Sequence, residues 1–243
     1  MVKSVKSAKP ARKNALPQEK RKNGASAPQA AKPRQKPQRA ENPYHHGDLR
    51  EALLTAAQTV LERDGLTGLT LRAVAREAAV SHAAPTHHFG DLTGLLSELA
   101  AVGFRNFNAA LVAASEAGAS PVERALARAR AYLGYARSQP GMYQLMFRTE
   151  WLDMNRPALK EASNASFAGL AGAIGIQHDG DVTRDELSMQ QAAQIARIWS
   201  LVHGFAMLTL AGRLNYVLRR LPGEPDAEEL FVEMLKISVP PPK

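Results

Sequence analysis

Between positions 70 and 92 the sequence reads Thr-Leu-Arg-Ala-Val-Ala-Arg-Glu-Ala-Ala-Val-Ser-His-Ala-Ala-Pro-Thr-His-His-Phe-Gly-Asp-Leu, and its spacing predicts two short helices joined by a tight turn. Leu71, Val74, Ala75 and Ala78 recur at helical spacing, so the first helix has one apolar face and leaves Arg72, Arg76 and Glu77 for solvent or a partner. Val80 supplies an apolar turn residue. Ser81 is a good N-cap, because its hydroxyl accepts an otherwise unpaired backbone N–H, so the second helix is expected to start there and run through His82, Thr86, His87 and His88. A short helix with a polar, basic outer face after a tight turn is the helix-turn-helix pattern, in which the second helix enters the DNA major groove. Pro85 strains this assignment, since it removes one backbone donor and disfavours helical geometry at Ala84.

The surrounding chain has its charge in one place. Residues 1–40 hold twelve Lys or Arg against one acid, Glu19, which is +11; the whole chain is +8, so residues 41–243 carry −3. Residues 1–43 also lack large apolar side chains and are read as a disordered basic tail. Such a tail either lies along phosphates and adds salt-dependent affinity, or is a solubilising extension. Cysteine is absent, which excludes disulfides and thiolate chemistry. No run reaches the ~20 apolar residues of a membrane helix, and the N-terminus lacks the apolar core of a secretory signal. The expectation is a cytoplasmic, nucleoid-associated protein with no membrane partner.

Around the 70–92 stretch every periodic segment is helical. Asp48 is a plausible N-cap for a helix with Leu49, Leu53, Ala56, Ala57, Val60 and Leu61 on one face, stopped at Gly65. Phe89 is expected to plug the core of the three-helix unit. Asp91 should cap a long helix through Phe104 and Phe107, and Ser120 with Pro121 should open another that ends before Gln139-Pro-Gly141. A helix from Pro157 to Ile176, a polar loop over 177–181, and one long helix from Arg184 to about Tyr216 follow. That long helix is apolar on most of its circumference, so a second subunit is its simplest cover, and with a last helix over 226–237 it would form a four-helix bundle between two chains.

Residues 44–92 resemble the DNA-binding domain of the tetracycline-repressor (TetR) family. The resemblance rests on Asp64-Gly65-Leu66, Thr70-Leu-Arg-Ala-Val-Ala75, Ala79-Val-Ser81 and His88-Phe89, in that order and spacing. Two positions depart from the family pattern: Thr86 stands where a Tyr commonly touches the DNA backbone, and Leu92 where a Lys commonly starts the fourth helix. Pro140-Gly-Met-Tyr-Gln-Leu-Met-Phe147 and Trp199 with His203-Gly204 resemble a C-terminal subtype of the family named for its Trp-His-Gly (WHG) pattern. The resemblance implies an all-α homodimer joined through its last two long helices: a tail over 1–43, a helix-turn-helix domain over 44–92, and a helical effector-binding and dimerisation domain over 93–243. Its implied partner is double-stranded DNA. Ser81, His82, Ala83, Thr86 and His87 are then expected to face the groove, with Tyr44 and Arg72 near phosphates and Thr70 also among the DNA-binding residues.

Other constellations are weaker. His45-His46, His82 and His87-His88 invite a metal reading, but no carboxylate or thiolate spacing accompanies them, and contact with phosphates or base edges explains them better. Neither a metal nor a cofactor is expected. Tyr135, Met142, Tyr143, Met146, Phe147, Trp151, Trp199, His203 and Met207 either line a pocket for a small apolar effector or form plain core. No nucleophile elbow, phosphate loop or HExxH is present, so the chain is not read as an enzyme. The function expected is that of a transcriptional regulator, a repressor released from a pseudo-palindromic operator by its effector. The alternative is an effector-independent, nucleoid-type DNA-binding protein using the basic tail.

Overall fold

The structure, a computed structural model, describes residues 46–116, 120–173, 187–223 and 225–238, and these are helical with no strand among them. The basic tail, Tyr44, His45 and the 177–181 loop lie outside the described residues. The first helix, α1 (His46–Gly68), is already helical two residues before Asp48, so Asp48 is not its N-cap. Gly65 breaks it as expected, with φ 70° and ψ −175°. Leu53, Ala57, Val60 and Leu61 on its inner face are buried.

Thr70 caps α2 (Leu71–Glu77), its hydroxyl accepting the Ala73 N–H at 3.1 Å. The helix ends in paired reversed bonds, Val80 N–H to Ala75 O at 3.0 Å and Ala79 N–H to Arg76 O at 3.1 Å. That C-terminal motif usually seats a glycine, yet Ala79 occupies the left-handed position at φ 54°.

The next helix, α3 (Ala84–Phe89), starts later than Ser81; its N-cap is Ala83, with no side-chain capping bond. Pro85 decides this. A helix capped at Ser81 would need the residue-85 N–H to close its first turn, and proline has none. Instead Ala84 N–H closes a turn on Ser81 O at 3.0 Å, and Pro85 takes the second helical position, where no donor is required. Ser81, His82 and Ala83 therefore belong to the turn. Phe89 is buried, as the three-helix core requires.

Asp91 Oδ1 accepts the Gly94 N–H at 2.7 Å and opens α4 (Leu92–Glu116), the central helix of the molecule. It packs chiefly against α5 (Pro121–Ser138) and α7 (Pro157–Ala173). Ser120 and Glu123 form a reciprocal capping box on α5. After the break at Gln139 comes α6 (Pro140–Met146), a two-turn helix that fixes the Met-Tyr-Gln-Leu-Met segment against α1 and α4. A single 3₁₀ turn at Thr149–Trp151 then leads into α7.

The helix α8 (Met189–Leu210) is shorter at both ends than the pattern suggested. Ser188 and Gln191 form its capping box, so Leu187 and Ser188 are not helical, and Gly212 at φ 67° ends it. Asn215–Leu218 is a separate turn, α9, and Asp226 caps α10 (Ala227–Ser238). One continuous core runs from α1 through α4, α5 and α6 to Phe231 and Leu235 of α10. A satellite of Ala171 and Ile195 joins α7 to α8. None of these helices is long and apolar enough to cross a membrane.

Candidate functional site

Two regions carry the residues singled out above. In the first, Ser81, His82, Ala83, Thr86 and His87 are all exposed and contiguous on the turn and first turn of α3. Thr70 and Arg72 are exposed at the start of α2. Thr70 spends its acceptor on the cap, which leaves its hydroxyl hydrogen available outward. Behind this surface the unit is rigid: Val74, Ala75, Pro85 and Phe89 are buried, and Arg63 of α1 bonds Glu77 of α2 at 2.8 Å. Among the described residues no group of three or more His, Asp or Glu is placed to hold a metal ion.

A clamp ties this unit to the helices behind it. Glu98 of α4 is nearly buried and receives Arg50 of α1 and Arg156, which precedes α7, on its two oxygens. Burial alone would push the Glu98 carboxyl up; the Arg156 and Arg50 guanidiniums outweigh it and hold the group below the usual carboxylate range. Arg156 also reaches Phe89 O at the end of α3, and Arg50 lies over the Phe89 ring, 5.5 Å from its centroid. Gly94 makes this closeness possible, since a Cβ there would fall 2.1 Å from Phe89 O and 2.8 Å from Arg156 Nη1. One turn along α4, Ser97 Oγ accepts the Asp153 N–H at 2.9 Å.

The second region is a partly open apolar cavity of roughly 280 Å³ lined by α4, α5, α7, α8, the end of α6 and the segment after it. Met146, Phe147 and Trp199 line it. Tyr143 and His203 stand behind that wall: Tyr143 Oη lies 2.8 Å from His203 Nδ1 and 3.1 Å from Tyr132 Oη, which is itself 3.1 Å from His203 Nδ1. Tyr143 donates to Tyr132, and both phenols lie within hydrogen-bond distance of the same imidazole nitrogen, whose role follows the ring's tautomer. Burial pushes the His203 pKa down, Tyr132 up to about 12 and Tyr143 up as well.

The other expected pocket residues lie elsewhere. Tyr135 donates to Gly103 O at 3.1 Å and is pushed up to about 12 by burial. Met142 is buried against Gly103, and Trp151 sits under the Arg148 guanidinium. Met207 is 41% exposed, because eight residues beyond Trp199 carry it about 12 Å along the helix axis. Glu150, in the same turn as Trp151, is exposed and pairs with Arg148 at 3.4 Å.

The sequence reading missed Phe104 and Phe107 as wall residues, since they read simply as the apolar face of α4, and it missed Arg128, Ser163 and Ser166 altogether. Nothing in the sequence could single out Arg128. It is one of four arginines on α5, and only packing turns it inward.

Comparison with known proteins follows this division. Residues 53–99 match the family described as bacterial regulatory proteins, tetR family, and residues 125–237 match the one described as tetracyclin repressor-like, C-terminal domain. An HTH-type transcriptional regulator of Mycobacterium tuberculosis, itself uncharacterized, is 25% identical over 189 residues, covering 76% of this chain and 78% of its own. A solved Rhodococcus sp. RHA1 protein of unknown function is 33% identical, with a TM-score of 0.63 over 82% of this chain and 96% of its own. A tetR-family transcriptional regulator from Pectobacterium atrosepticum shares the fold at 19% identity and a TM-score of 0.53, covering 80% of this chain and 93% of its own.

Proposed function

This chain belongs to the TetR family of DNA-binding transcriptional regulators, and from that premise we propose that it is a cytoplasmic homodimeric repressor whose grip on a pseudo-palindromic operator is released by a small apolar effector. The observation that carries the reading is the contiguous exposed set Ser81, His82, Ala83, Thr86 and His87 on a short, rigidly backed helix-turn-helix. In this reading residues 44–92 read the DNA, Thr70, Arg72 and Tyr44 sit beside phosphates, and residues 93–243 sense the effector and dimerise.

The outer side of α8 supports the dimer. Met189, Ala193, Ala196, Ser200, Met207 and Leu208 are exposed there, an apolar and small-residue surface that a second copy would cover. Two recognition helices so joined would meet half-sites about 34–36 Å apart, one DNA turn, or somewhat further.

The clamp suggests how the cavity reaches the DNA. The segment from Thr149 to Arg156 lines the cavity with Thr149 and Met154 and holds the start of α4 with Asp153 and Arg156. A ligand that pushes this segment outward loosens Arg156 from Glu98 and Phe89 O and changes the tilt of α4. It favours the DNA-free form only in so far as it binds that form more tightly.

Footprinting on genomic fragments enriched by the purified protein tests the reading. A discrete protected pseudo-palindrome supports it; uniform, salt-sensitive coating of any duplex would replace it with an effector-independent DNA-coating protein driven by the basic tail.

A further inference from the structure

The cavity walls are mostly apolar, and Arg128 is the charged residue among those that line it. Phe107, Phe147 and Trp199 offer ring surfaces along most of its length, and Tyr132 turns its hydroxyl away to Tyr143 and His203. At the far end, toward Leu111, stands Arg128 of α5. Its guanidinium has five N–H donors, and the bond it makes among the described residues is a single long one, Nη2 to Gly169 O at 3.3 Å. No carboxylate among the described residues pairs with it, and burial lowers its pKa. On α7, Ser166 also lines the cavity, and its Oγ is buried without a hydrogen-bond partner. A half-buried cation and a buried hydroxyl left unsatisfied at the edge of an apolar chamber are costly unless a ligand completes them.

We propose that the cavity is the binding site of a hydrophobic monocarboxylate, whose apolar body lies among Phe107, Phe147 and Trp199 and whose carboxylate pairs with Arg128 and accepts from Ser166. This rests on the effector reading above and adds the chemical class of the effector. The carboxylate geometry suits a guanidinium, which offers two parallel N–H donors to its two oxygens. A cationic ligand would meet Arg128 as a like charge. From Phe104 to Leu111 the cavity spans about two helical turns of α4, roughly 10 Å, which fits a bicyclic aromatic acid or a medium-chain fatty acid.

The test uses the full-length protein without DNA and matched probes differing in their head group: 2-naphthoate, 2-naphthylmethanol and 2-naphthylmethylamine, with decanoate, decanol and decylamine as the alkyl set. Binding is followed by calorimetry and by intrinsic tryptophan fluorescence. The expected result is that each carboxylate binds about tenfold or more tightly than its alcohol and that the amine binds weakest. Arg128→Gln should abolish the preference for the acid while leaving the alcohol's affinity in place. Equal binding of acid and alcohol by the wild-type protein overturns the inference without recourse to any variant, as does preferred binding of the amine or failure of all six probes to bind. Operator release is measured separately: an acid that binds through Arg128 yet leaves the protein–DNA complex intact sustains the inference and refutes the effector-release reading.

Discussion

Arg156 Nε donates to Glu98 Oε1 at 2.8 Å, and this bond joins the segment that edges the cavity to the helix that carries the DNA-reading unit. The same guanidinium reaches the carbonyl of Phe89, the last residue of α3. Arg156 therefore touches both the recognition helix and the central helix while belonging to the segment that edges the cavity, and Glu98 is the anion that holds it there. Removing Arg156 leaves Glu98 with Arg50, so Arg156→Ala should cost about 1–3 kcal/mol in urea unfolding. It should also weaken the effect of any effector on operator affinity more than it weakens operator affinity itself. Parallel titrations with and without effector check this.

Glu98 gives a pH signature. Its folded pKa lies below the unfolded value of 4.5, so the stability it contributes is fully present above about pH 4.5 and is lost as pH falls through the folded value. Glu98→Gln should lower stability at pH 7 by about 3 kcal/mol, because it leaves two guanidiniums unpaired. The difference between wild type and variant should shrink as unfolding is measured at progressively lower pH.

His203 acts in a different window. Burial places its folded pKa below 6.5, so the network of His203 with Tyr143 and Tyr132 is at full strength above about pH 6.5 and weakens as acid protonates the ring. Thermal unfolding from pH 8 to pH 5 should show a loss of stability that His203→Gln reduces. An unchanged slope in the variant would assign the loss to other groups.

Ala79 should improve when replaced by glycine. Its φ of 54° is strained for an L-residue with a Cβ, and relief of that strain exceeds the added flexibility of the unfolded chain, for a gain of about 0.5–1 kcal/mol. Ala79→Val should move melting the other way. Differential scanning calorimetry distinguishes the two.

The basic tail should show itself in salt dependence. Each phosphate that residues 1–40 neutralise adds about −0.9 to the slope of log affinity against log salt concentration. Deleting residues 1–40 should flatten that slope and weaken binding alike for operator and random duplex. An unchanged slope would make the tail a solubilising extension.

How far the sequence reached depends on the range of the interactions involved. Helix caps at Thr70, Ser120 and Asp91, the breaks at Gly65 and Gln139, and the burial of Phe89 were legible because each follows from a residue and its near neighbours along the chain. Pro85 was legible as a conflict, and the backbone resolved it by starting α3 at Ala84 rather than Ser81. The cavity was only partly legible. Met146, Phe147 and Trp199 stand out by composition, whereas Phe104 and Phe107 look like any core face, and nothing local turns Arg128 inward or brings it to the same cavity as Ser166, 38 positions away. The clamp of Arg50, Glu98 and Arg156 spans more than a hundred positions and was invisible, since an isolated charge reads as surface until tertiary packing removes the solvent around it. The sequence by itself determined an all-helical chain with a DNA-reading unit near its start, because periodicity and capping are local. Tertiary structure alone decided which polar groups are buried together, because burial depends on what the rest of the chain brings alongside.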